Sequence, residues 1–218
     1  AADTIPFPPQ EYLPPYQSRE HNFYHFHFNQ QAIRMRNLIL CFLSLFVFSS
    51  MTKAQSTALF DKLIFKNEDG TLPYRLLKPV NPGVKEKFPL VIFLHGAGER
   101  GTDNEVQITH IKDLFLDSRN RGKHPCYVLA PQCPKGVMWA EHNKDGSMKE
   151  NPTQTMQLVI DLMEKIIREF PIDEARIYIT GVSMGGYGTW DLMARFSETF
   201  AAAVPICGAG DRPTASTI

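Results

Sequence analysis

The sequence lacks an excess of charge of either sign: 23 Lys and Arg stand against 23 Asp and Glu. That balance excludes the broadly basic surface on which non-specific nucleic-acid binding rests, so no nucleic-acid partner is expected. Cysteine is scarce, with Cys41, Cys126, Cys133 and Cys207 the four in 218 residues, and none sits in a catalytic cysteine pattern. No apolar run is long enough to cross a bilayer as a helix; the longest, Leu38 to Phe48, has eleven residues with Ser44 its one polar member. Metal-ligand patterning is also thin. His21, His25 and His27 lie in a proline- and aromatic-rich stretch without helix or strand periodicity to pre-form a site, so neither metal nor organic cofactor is expected.

What is present divides the chain into three. Residues 1–34 read as disordered or non-native upstream sequence. Residues 35–54 have the form of a secretory signal peptide: Arg34 and Arg36 give positive charge, the Leu38 to Phe48 run follows, and Thr52-Lys53-Ala54 places small residues where a signal peptidase reads. Met35 would then be the true start and Gln55 the first mature residue. An uncleaved anchor and a buried core segment are the other readings of the same run. Cys41 follows Leu38-Ile39-Leu40, unlike a lipoprotein cleavage box, so no lipid anchor and no stable membrane insertion after cleavage is expected. The destination is secreted or periplasmic.

Residues 55–218 read as one folded domain. Leu59 to Lys66 and Leu72 to Pro79 form a hairpin around Asn67-Glu68-Asp69-Gly70. Phe88 to Leu94 is a nearly continuous apolar strand, and it delivers the glycine-rich His95-Gly96-Ala97-Gly98-Glu99-Arg100-Gly101. Glycines there let backbone N–H groups turn inward, as an oxyanion hole requires, although a plain turn has the same composition. Asn104 to Asn120 reads as a helix with Ile108, Ile111, Leu114 and Phe115 on its buried face. Tyr127 to Ala130 is another strand. Trp139, in the loop beyond, either lines a pocket or simply packs. Asn151-Pro152 opens a helix whose stripe is Met156, Val159, Met163, Ile166 and Phe170.

Next comes the strand Arg176 to Thr180, broken by Gly181-Val182-Ser183-Met184-Gly185, with a helix from Tyr187 to Phe196. Strand, G-x-S-x-G and helix are the context of a nucleophile elbow, in which a strained turn lifts the serine hydroxyl above the sheet and the glycines leave room for it. A last strand, Ala201 to Cys207, ends at Gly208-Ala209-Gly210-Asp211. Alternating strands and helices predict an α/β fold, a mainly parallel sheet with helices on both faces. Ligands of such sheets collect beyond the strand carboxyl ends, where His95-Gly96, Gln132 to Trp139, Ser183 and Asp211 all fall. Cys126 and Cys133 flank one strand, about 20 Å apart, too far to bridge. Free and mostly buried thiols are expected.

Val91 to Gly101, Val128 to Gln132 and Gly181 to Trp190 together resemble secreted bacterial α/β-hydrolases over roughly residues 57–212. The nearest types are the dienelactone hydrolase-like and prolyl oligopeptidase-like esterases, often labelled predicted peptidases, with polyhydroxybutyrate depolymerases and feruloyl esterases. The resemblance implies Ser183 as nucleophile, the N–H groups of Met184 and Ala97 as oxyanion donors, and His95, Gly96, Gly98, Glu99, Gly181, Gly185 and Trp139 as motif or pocket positions. It implies a small-molecule or polymer-linked ester substrate, with peptide hydrolysis or non-catalytic binding on the same fold as rivals. The family order is serine, acid, histidine. No histidine follows Ser183, His95 is read as structural, and Asp211 comes early for the acid, leaving it a helix cap or pocket residue. The expectation is a fold incomplete at its C-terminal end, nearly inactive as written.

Overall fold

The computed structural model describes residues 58–80 and 86–211, all of them within the unit Ala54–Ile218. The segments 1–34 and 35–54 lie outside the described residues.

β1 (Phe60–Asn67) and β2 (Gly70–Leu77) pair antiparallel. Their turn forms because Asn67 Oδ1 accepts from the N–H groups of Asp69 (3.0 Å) and Gly70 (3.1 Å), and Gly70 takes a φ of 152° open to glycine. β3 (Phe88–Leu94), β4 (Tyr127–Pro131), β5 (Ile172–Val182) and β6 (Ala202–Ile206) complete a six-stranded sheet of order β1-β2-β4-β3-β5-β6. β2 meets β4 antiparallel, while the β4-β3-β5-β6 ladders are parallel. The chain thus has the mainly parallel sheet that the alternation of elements predicts.

Each face of the sheet carries its own core. On one, Leu90, Ile92, Leu94, Leu129, Ile177 and Ile179 pack under α3 (Gln154–Glu169) and α4 (Met184–Arg195), which contribute Met156, Val159, Leu162, Ile166 and Leu192. On the other, Phe93, Val128, Ala130, Phe60 and Leu77 pack beneath Ile108 and Ile111. β3 and β4 are therefore apolar on both sides, which is why they read as unbroken runs.

Three expectations need correction. The single helix over 104–120 is instead a 3₁₀ turn (Val106–Ile108), α1 (Lys112–Leu116) and α2 (Ser118–Lys123). Asp117 divides it, its Oδ1 capping a fresh helix through Arg119 and Asn120, while Asp103, just ahead of the segment, takes the N–H groups of Glu105 and Val106 on its Oδ1. The break takes Leu114 off the buried face and leaves it 60 % exposed. α3 begins two residues later than Asn151-Pro152 implies, because Thr153 is the cap: its hydroxyl accepts from Met156 N–H at 3.0 Å and donates to Trp139 O at 2.9 Å. The cysteines are free, with Cys133 buried and Cys126 half-buried, but Cys207 is exposed at the end of the edge strand β6.

Candidate active site

Strand register aligns the chemistry. Leu94 of β3 lies opposite Gly181 of β5, and Val182 lies opposite Ile206 of β6, so three carboxyl ends open at one level. The loops that leave them, His95-Gly96-Ala97 and Val182-Ser183-Met184, are neighbours.

Ser183 stands at φ 52°, ψ −113°, a conformation that L residues rarely adopt. The surrounding bonds impose it. Ser183 N–H donates to Ile206 O (2.8 Å), and Ser183 O accepts from Gly186 N–H (2.8 Å) and Tyr187 N–H (3.2 Å) as α4 begins. The Ser183 side chain makes no capping bond to its own helix, and the residue is exposed. An N-cap serine normally spends its hydroxyl on the helix; this one leaves it to the solvent side.

The glycines of the motif are there because backbone passes where side chains would be. A Cβ on Gly185 would lie 1.8 Å from Leu94 O, and one on Gly181 would lie 2.3 Å from Gly185 O. These contacts seat the first turn of α4 directly on the ends of β3 and β5. As the first residue of α4, Met184 has an N–H without an intrahelical acceptor, while its side chain is buried. Ala97 likewise opens a 3₁₀ turn, Ala97–Glu99, at the end of β3, and both Ala97 and Gly98 are exposed.

A buried scaffold holds that turn. His95 is fully buried; its Nε2 accepts from Cys133 N–H (2.9 Å), which leaves the proton on Nδ1 to be donated to Gly96 O (2.6 Å). Burial pushes its pKa below the usual histidine value, so the ring is neutral with both nitrogens engaged. Trp139 has no exposed surface: it packs edge-on against His95 at 5.1 Å and donates Nε1–H to His95 O at 3.0 Å. Of the two readings of Trp139, the described residues show it packed, with nothing of the ring reaching solvent.

Further braces escaped sequence reasoning. Buried Gln132 donates to Glu99 O and Asp103 Oδ1, both at 3.2 Å, and accepts from Asn104 N–H at 2.6 Å. Arg100 donates to Ala97 O (3.0 Å) and Val137 O (3.2 Å). The Pro131-Gln132 pair directly after a buried strand was the available signal for Gln132; Arg100 carries none beyond its place in the loop. Glu99 Oε1 meets His110 Nε2 at 3.0 Å, and Glu99 Oε2 lies 3.2 Å from where a Cβ on Gly96 would be. Asp211 Oδ2 accepts from Met148 N–H at 3.1 Å, tying the end of β6 to the 140–150 loop. Among the described residues no cluster of His, Cys, Asp and Glu is placed to hold a metal ion.

The fold and this corner have known counterparts. The prolyl oligopeptidase family model matches residues 135–216. A crystal structure of a thermostable esterase is 43 % identical, with a TM-score of 0.69 over 74 % of this chain and 44 % of its own. The chain has the α/β-hydrolase fold and is similar to an esterase built on it. Poly(3-hydroxyalkanoate) depolymerase C of Paucimonas lemoignei is 28 % identical to this chain over 147 residues, 64 % of the chain and 33 % of the depolymerase. S-formylglutathione hydrolase of Staphylococcus aureus, 19 % identical with a TM-score of 0.51, shares the fold over 69 % of this chain and 57 % of its own. The chain thus spans a third of the depolymerase and under half of the esterase.

Proposed function

We propose that this chain carries the nucleophile and oxyanion hole of a secreted serine hydrolase that cleaves carboxylic esters through an acyl-enzyme on Ser183. The observation that supports it most is the Ser183 turn: a non-glycine residue at φ 52°, its hydroxyl unused by the helix it caps, beside the Ala97 turn. In this reading the Ser183 hydroxyl attacks the ester carbonyl while a histidine takes its proton. The N–H groups of Met184 and Ala97 hold the oxyanion, the alcohol leaves with the returned proton, and water then releases the acid. The base is a histidine outside the described residues. His95 is unsuited to the task because both of its ring nitrogens are occupied and it is buried.

The substrate is a small-molecule or polymer-linked ester, with the likeness to an esterase and to a polyester depolymerase as support. The family-model match favours peptide hydrolysis as the second reading. The test is to express the protein from its complete gene, label it with a fluorophosphonate, and assay p-nitrophenyl butyrate beside a prolyl peptide. Labelling at Ser183, ester turnover, and a loss on the order of 10⁶-fold in Ser183→Ala are expected. Turnover that survives Ser183→Ala would refute the mechanism, and cleavage of the peptide alone would favour the second reading.

A further inference from the structure

Glu99 is the one acidic side chain of the His95 to Gly101 loop, two residues beyond the proposed oxyanion donor Ala97. Its side chain is 17 % exposed, so it is neither free in solvent nor sealed in the core. The two oxygens differ. Oε1 is engaged by His110 Nε2 at 3.0 Å, whereas Oε2 takes no hydrogen bond from the described residues and lies 3.2 Å from where a Cβ on Gly96 would be. The same Gly96 face is bounded by Val182 O, 3.5 Å from the Cβ position, and Val182 immediately precedes Ser183. A carboxylate oxygen with unused lone pairs is therefore held at the rim of the proposed reaction centre, where the described residues supply it no donor. The backbone that carries it is fixed, because Glu99 N–H donates to Gly96 O at 3.3 Å and Glu99 O accepts from Gln132 at 3.2 Å, and Oε1 is tied to His110. Such an oxygen repels the oxyanion-bearing carbonyl and attracts a hydrogen-bond donor close to it.

We propose that Glu99 Oε2 is a specificity group that accepts a hydrogen bond from a substrate hydroxyl near the scissile ester, making hydroxylated esters the preferred class. This rests on the serine-esterase reading of Ser183. The hydroxyl belongs either to the acyl group or to the alcohol, and matched pairs of esters separate the two. The acyl pair is p-nitrophenyl 3-hydroxybutyrate against p-nitrophenyl butyrate; the alcohol pair is ethylene glycol monobutyrate against propyl butyrate.

The readout is the ratio of kcat/KM within each pair, measured on the protein expressed from its complete gene, which cancels any loss common to both members. A charge-assisted hydrogen bond predicts a preference of about tenfold or more in one pair. Glu99→Ala should bring that ratio to near one, and Glu99→Gln, whose amide oxygen still accepts, should leave part of it. If Glu99→Ala does not fold, a ratio lowered about threefold or more in Glu99→Gln makes the same case. A wild-type ratio near one in both pairs, or a ratio that no Glu99 variant changes, overturns the proposal while ester turnover and Ser183 labelling leave the parent reading intact. Absence of turnover and of labelling overturns both.

Discussion

The two faces of the β5-β6 edge are built from similar residues and end differently. On one, Ile177 and Ile179 are 2 % and 1 % exposed beneath α3 and α4; on the other, Val204 and Ile206 of β6 are 58 % and 46 % exposed. Register puts Val204 beside Thr180 and Ile206 beside Val182, so the exposed pair continues a face that Phe93 of β3 shares. Apolarity alone therefore does not bury a strand; a covering element does. β6 is the outermost of the described strands: Ile206 turns its carbonyl to Ser183 N–H on the β5 side, so Pro205 turns its ring nitrogen, which has no hydrogen to donate, away from β5.

The comparison breaks most sharply at Gly185. A methyl there would have to enter space 1.8 Å from Leu94 O, with backbone on both sides unable to yield. Gly185→Ala should cost more than about 4 kcal/mol and abolish soluble expression. Gly98→Ala, with nothing within 4 Å of its Cβ position, should shift stability by less than about 0.5 kcal/mol in a urea titration. Next in size, Ile179→Ala on the covered face should cost about 2–5 kcal/mol in the same titration, and Val204→Thr on the open face about 0.5 kcal/mol or less. Equal losses from the two would show that β6 is covered in solution.

A smaller effect concerns acid. Burial holds the pKa of folded His95 below the unfolded value of 6.5, so the unfolded chain binds the proton first. The contribution is full above 6.5 and is lost as pH falls through that value toward the folded pKa. Melting temperature should decline from pH 7.5 to pH 5, and the decline should be shallower in His95→Gln. Smallest in energy is thiol reactivity at neutral pH. Cys207 should be alkylated in the native state, while burial raises the Cys126 thiol to about 11 and the Cys133 thiol to about 12 and protects both. Peptide mass spectrometry after a brief iodoacetamide pulse reads all three.

The elements legible in the sequence were those in which one pattern acts alone. β3 is an uninterrupted apolar run and was bounded to the residue, and α3 showed its stripe at spacings of three and four. The elbow was legible because glycines bracket a serine between a strand and a helix. Where short polar side chains compete with the helix, as Asp103 and Asp117 do, periodicity misleads: the 104–120 segment reads as one helix and folds as three short ones. The candidate site was legible as positions rather than as a scaffold. Nothing local tells that Trp139 reaches His95, 44 positions away in sequence, or that Gln132 spans from Glu99 to Asn104. Those bonds depend on strand order, which a one-dimensional pattern does not carry.

The backbone of Ser183 has a consequence for how the molecule can change. Its φ of 52° suits glycine and costs another residue about 1–3 kcal/mol, so Ser183→Gly should raise the melting point as it removes the hydroxyl. At this position thermal robustness and chemistry pull in opposite directions. Selection of variants for heat resistance alone would draw the molecule toward an inert scaffold, and any screen for robust forms has to assay turnover in the same round.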